Sequence, residues 1–139
     1  MVTDLPFTSD SFYKLLNQRK LMASRCKCTG AIHLPPRALC PDEHDCEMEW
    51  VELSGRGKLA AFSIIYIGPS AMIEAGYDRK NPYCSGIVEL EEGVMISAQI
   101  LGVDVDHPET IQVGMPLEID FVERGPEEQK QSYLAFRPV

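Results

Sequence analysis

Four of the chain's five cysteines fall between Ser24 and Cys46, in SRCKCTGAIHLPPRALCPDEHDC. Apolar residues here come only in short pieces, LMAS, AIHL and RAL, so the segment reads as a small hairpin without a core of its own. Such a hairpin buries too little to offset the entropy of ordering it, whereas a structural zinc contributes on the order of 10 kcal/mol or more. The N-terminal MVTDLPFTSD lacks the basic, apolar and small-residue order of a secretory signal, which predicts a reducing cytoplasm. Clustered cysteines there point to metal before disulfide.

Tetrahedral zinc needs four ligands converging at about 2.3 Å, and ribbons supply them from two tight knuckles. The pairs here are Cys26-x-Cys28 and Cys40-x5-Cys46, with Pro41 after Cys40 and His44 inside the second pair. Neither has the common C-x-x-C spacing. Three accounts stand: Cys26, Cys28, Cys40 and Cys46 hold a structural zinc, His44 replaces one of them, or the finger holds no metal. The same four thiolates would also suit iron. An open catalytic zinc beside a general base has no support in the pattern.

Before the cysteines, Thr8, Ser9 and Asp10 offer N-terminal caps, and Phe12, Leu15, Leu16 and Arg19 recur at helical spacing. This predicts a short amphipathic helix ending near Arg19, packed on its own domain or docking on another protein. From Glu47 onward no helical period of useful length returns, and strand patterns take over: MEWVEL, KLAAFSIIYI, YCSGIVEL, VMISAQILGV and PLEIDFV, with SYLAFRP as a closing strand or extension. Turns come at SGRG, EEG and VGMP. Short strands with glycine-rich corners favour a small closed barrel, which leaves no open sheet edge; a sandwich is the alternative. KLAAFSIIYIG is far shorter than the roughly 20 residues of a membrane helix.

Net charge is −8, unevenly spread: residues 1–40 carry six basic side chains against Asp4 and Asp10, and the remainder seven against nineteen acids, a balance of −12. Nucleic acid is a poor partner for so acidic a half, although OB-type barrels that stack bases on aromatics keep a single-stranded nucleic-acid module as the competing class. Catalytic motifs are missing: there is no G-x-S-x-G, no phosphate loop and no H-E-x-x-H. Cys84 starts an alternating strand and reads as core. His33 and His107 have no nucleophile beside them, and Glu89, Glu91 and Glu92 fall where turns and solvent-facing positions are expected. The chain reads as a non-enzyme.

The order FYKLLNQRKL, SRCKCTGAIHLPPRALCP, WVELSGRGKLAAFSII, YCSGIVELEEGVMISAQILGVD and VGMPLEIDFVE resembles the zinc-ribbon plus OB-fold family associated with acyl-CoA metabolism. The resemblance implies a mainly β chain: a helical arm over 1–24, a rubredoxin-like ribbon over 25–47 and a five-stranded OB barrel over 48–139. It also implies a non-catalytic scaffold in lipid metabolism, binding acyl-CoA and partnering a thiolase-like or hydroxymethylglutaryl-CoA synthase-like enzyme. In that family the thiolates sit on C-x-x-C-G and C-P-x-C knuckles. Cys26 and Cys40 match, but Thr29 and Glu43 occupy the other two positions, with Cys28 and Cys46 nearby. For CoA phosphates the loop cations Arg56, Lys58, Arg79 and Lys80 are the expected ligands.

Overall fold

The structure, a computed structural model, describes residues 5–39, 46–124 and 130–139. Helix α1 (Ser9–Asn17) opens on Thr8, whose hydroxyl accepts the Ser11 N–H at 3.2 Å. It closes through Arg19, which takes a left-handed φ of 62°. The Lys20 N–H donates to the Leu15 carbonyl at 3.0 Å, satisfying a terminal acceptor. Phe12, Leu15 and Leu16 are buried. The helix packs on its own chain: Asn17 accepts the Ser132 N–H at 2.8 Å, and the Arg19 guanidinium lies 5.1 Å from the centre of the Phe121 ring.

Strands β1 (Met22–Cys26), β2 (Ile32–His33) and β3 (Met48–Glu52) form an antiparallel sheet in the order β2-β1-β3. The barrel follows with β4 (Arg56–Ile65), β5 (Tyr83–Leu90), β6 (Met95–Ile100), β7 (Pro116–Arg124) and β8 (Gln131–Pro138). It closes in the order β4-β5-β6-β8-β7. The register of β4 shifts between Leu59 and Ala61, and β4 pairs with β7 at Arg56–Lys58 while running along β5. A bulge bends a strand, which lets one long strand serve both neighbours.

MEWVEL differs from the expected barrel strands in its partner, while SYLAFRP closes the barrel. MEWVEL is β3, paired with β1 from Met22↔Glu52 to Cys26↔Met48, so it belongs to the ribbon sheet. SYLAFRP is β8, an integral barrel strand antiparallel to β7 and parallel to β6. Alternation identifies a strand but not its neighbour. After Glu47 the helical residues described are α2 (Ser70–Glu74) and a 3-10 turn at Pro108–Thr110. Five residues make little more than one turn, too short to show a period.

The core runs through both parts. Leu59, Val88, Leu117 and Phe136 fill the barrel, α1 adds Phe12 and Leu16, and the ribbon adds Leu21, Ala23 and Leu53 to the same cluster. Gly86 allows this packing, since a Cβ there would stand 2.8 Å from Ile100 Cγ1 and 2.9 Å from Leu59 Cδ1. Trp50 on β3 donates its indole N–H to the Leu5 carbonyl at 3.1 Å and stacks on Phe7 at 4.8 Å, tying the N-terminal arm to the ribbon. Among the described residues no helix is long and apolar enough to cross a membrane.

Candidate functional site

The first knuckle of the ribbon is the turn between β1 and β2. The Gly30 N–H donates to the Cys26 carbonyl at 2.8 Å and the Cys26 N–H to the Ala31 carbonyl at 2.9 Å. Gly30 has φ of 77°, a left-handed conformation that glycine adopts without cost. The Lys27 N–H reaches the Glu47 carbonyl at 3.0 Å, so this turn lies against the chain entering β3. There Cys28 and Cys46 form a disulfide with Cα atoms 5.9 Å apart. Cys26 is fully buried; Cys40 and His44 lie outside the described residues. Two thiolates on one tetrahedral zinc stand about 3.8 Å apart and unbonded. The disulfide form therefore does not fit a four-thiolate zinc, because two of its sulfurs are spent on each other.

The four expected phosphate ligands fall into two groups. Arg56 and Lys58 face a recess of about 730 Å³ lined also by Glu89, Glu91 and Glu118, and the Lys58 ammonium lies 3.8 Å from Glu89. Glu89 is thus partly engaged, and Glu92 accepts the Ser54 N–H at 2.9 Å, a structural contact that turn composition does not reveal. Arg79 and Lys80 are exposed in the turn where Asp78 accepts the Lys80 and Asn81 N–H groups at 2.9 and 3.0 Å. Gly57 pairs with Leu90 at one end of the β4–β5 hairpin and Ile65 with Tyr83 at the other. The eight residues of β5 span roughly 23 Å, so the two basic pairs sit at opposite ends and form no single site.

A cleft of about 560 Å³ opens between α1, α2 and the outer face of β5, β6 and β8, walled by Phe12, Met72, Tyr83, Met95, Tyr133 and Leu134. Gln99 at its wall donates to the Tyr77 hydroxyl at 3.0 Å. Among the described residues Arg124 is the one charged side chain lining it. Its walls come from segments far apart in the chain, and FVER carries no motif by which Arg124 could have been singled out.

Two family descriptions match the chain: "ChsH2, rubredoxin-like zinc ribbon domain" over residues 14–42 and "ChsH2, C-terminal OB-fold domain" over 50–122. The chain belongs to the ChsH2 family. A DUF35 domain-containing scaffold protein of Methanocaldococcus jannaschii is 34% identical over 102 residues, 73% of this chain and 67% of that protein. The benzoylsuccinyl-CoA thiolase subunit BbsA of Thauera aromatica is 39% identical over 82 residues, 59% of this chain and about half (52%) of that subunit. A solved structure described as the Ltp2-ChsH2(DUF35) aldolase superposes with a TM-score of 0.77 at 26% identity, covering 97% of each chain. The ribbon and five-stranded OB barrel implied by the motif order are the family's architecture and that of the structure.

In this ChsH2-family chain, Cys84 is 1% exposed and burial pushes its thiol up to about 11 from 9.0. The neutral thiol is favoured by folding, so its contribution is complete below pH 9 and is lost as pH rises through about 11. Titrating chemical stability from pH 8 to 11 should show a loss of about 2–3 kcal/mol that Cys84→Ala removes; an unchanged profile in the variant would contradict this. His107 pairs on the surface with Asp104 at 2.8 Å, which holds that carboxyl below its usual value. His33 sits in β2, its Nε2 buried without a partner among the described residues.

Proposed function

We propose that this chain is a non-catalytic accessory subunit that docks on a thiolase-like enzyme, or on a hydroxymethylglutaryl-CoA synthase-like one, and helps present an acyl-CoA in lipid metabolism in the cytoplasm. The observation that carries the reading is the exposure of three large apolar side chains around α2: Tyr66 at 50%, Ile67 at 68% and Ile73 at 54%. Clustered exposed apolar groups mark surfaces that another protein covers. The relative named as a thiolase subunit and the ChsH2 chain that shares a structure with Ltp2 support a partner of that class. Among the described residues, Cys84 is buried and the surface His107 is engaged with Asp104, so neither forms a nucleophile–base pair. With Ile67→Glu and Ile73→Glu combined, the chain should keep its melting temperature yet lose the co-purifying enzyme; retention of the enzyme would reject this docking face.

CoA phosphates are assigned chiefly to Arg79 and Lys80, which are exposed in their turn, over Arg56 and Lys58, whose recess already contains Glu89, Glu91 and Glu118. Removing Arg79 and Lys80 together should weaken CoA binding roughly tenfold, while removing Arg56 and Lys58 should change it little. Equilibrium binding to the purified chain measures both, and equal affinity in all three proteins eliminates the assignment. For the ribbon, reduction of Cys28–Cys46 releases two thiolates. Cys26, Cys28, Cys40 and Cys46 are then the set we assign to a structural zinc.

A further inference from the structure

We infer that the cleft between α1, α2 and the barrel is a binding site for an apolar molecule ending in a carboxylate, with Arg124 as its anion-binding residue. Three observations converge. The cleft has the size of a small-molecule site, about 560 Å³, and its walls are mainly aromatic and aliphatic: Phe12, Met72, Tyr83, Met95 and Leu134. Among the described residues its only charged lining side chain is Arg124, which has no carboxylate partner there, although the chain as a whole is at −8. The guanidinium is held in place from two sides, lying 4.1 Å from the centre of the Tyr133 ring with one terminal NH2 on the Met72 sulfur. Its Nε–H is buried with no acceptor among the described residues.

A buried donor without an acceptor costs free energy that a ligand oxygen would recover. A guanidinium edge matches the two oxygens of a carboxylate. One cation in an apolar cleft suits a monoanion, whereas a phosphate dianion would leave charge uncompensated in the same surroundings. The carboxylate can belong to a free aryl or alkyl acid or to the far end of a dicarboxylic acyl thioester. The inference stands on the cleft alone, so failure of the CoA assignment at Arg79 and Lys80 would leave it intact.

Isothermal titration of the full chain with 4-phenylbutyrate and with 4-phenylbutanol tests it, the two probes differing only in the anionic end. The acid should bind roughly tenfold or more tightly than the alcohol, and Arg124→Gln should abolish that preference while leaving the weak alcohol binding in place. Amide shifts on adding the acid should centre on Ser97, Gln99 and Tyr133. A second pair, glutaryl-CoA against pentanoyl-CoA, separates the two sources: a preference for glutaryl-CoA that Arg124→Gln removes identifies the thioester, and its absence identifies the free acid. Equal binding of acid and alcohol to the unaltered chain, no binding of either, or a preference that survives in Arg124→Gln overturns the inference. The wild-type comparison decides even where the variant folds poorly.

Discussion

Phe136→Ala should bring the barrel close to unfolding. Phe136 is fully buried on β8, opposite Ile119 of β7 and beside Ile100 of β6, at the seam where the parallel β6–β8 pairing closes the cylinder. Its removal withdraws a large ring from three strands at once and leaves a cavity that a closed barrel cannot easily collapse around. Truncations of this kind cost about 3–5 kcal/mol, much of the 5–15 kcal/mol that separates a typical domain from its unfolded state. Urea unfolding followed by Trp50 fluorescence and by far-ultraviolet circular dichroism should show a midpoint shift of that size, with the slope unchanged if the unfolded ensemble is unaffected. Ile87→Ala, at a side chain 40% exposed on β5, should cost less than about 1 kcal/mol. Similar costs at the two sites would mean that β8 is a loose extension and the barrel closes without it.

That strand also shows what the sequence could convey. The alternation in YCSGIVEL and PLEIDFV marks one face of each strand, and the buried positions Cys84, Val88, Leu90 and Leu117 follow it. Pairing is a different kind of information. MEWVEL is as rich in strand-forming residues as a barrel strand, yet it pairs with β1, and Leu21, Ala23 and Leu53 bring the base of the ribbon sheet into the common core. The candidate site divides in the same way. Cysteine spacing exposes a clamp directly, since its members lie close in sequence. The cleft could not be read, because Phe12, Met72, Tyr83 and Arg124 meet only after the barrel has closed and α1 has been laid across it. The cations Arg56 and Arg79 looked equivalent as loop charges, but strand register sends them to opposite ends of one hairpin.

Cys28→Ser should loosen the outer end of the ribbon while leaving the barrel almost untouched. The β1–β3 ladder is anchored unequally: its Met22↔Glu52 end joins the core through Leu21, Ala23 and Leu53, and its Cys26↔Met48 end is held beyond the core by the Cys28–Cys46 bond. That bond links cysteines 18 positions apart, and a covalent link over a loop of this length restrains the unfolded chain by about 3 kcal/mol. Amide exchange should therefore accelerate over residues 26–33 in Cys28→Ser, with β5 and β8 protected as before. The same substitution separates the two clamps available to the ribbon. The unreduced wild type should take up no stoichiometric zinc and keep Cys28 and Cys46 from alkylation when denatured. Once reduced, it should bind one zinc per chain and recover the lost protection, since zinc binding and folding of such a finger are one equilibrium. Cys28→Ser should do neither, having lost both the bond and a thiolate. Elemental analysis of each form together with mass spectrometry after alkylation reads all three states. One tightly held zinc in a chain whose Cys28–Cys46 bond is intact would show that the metal relies on other ligands.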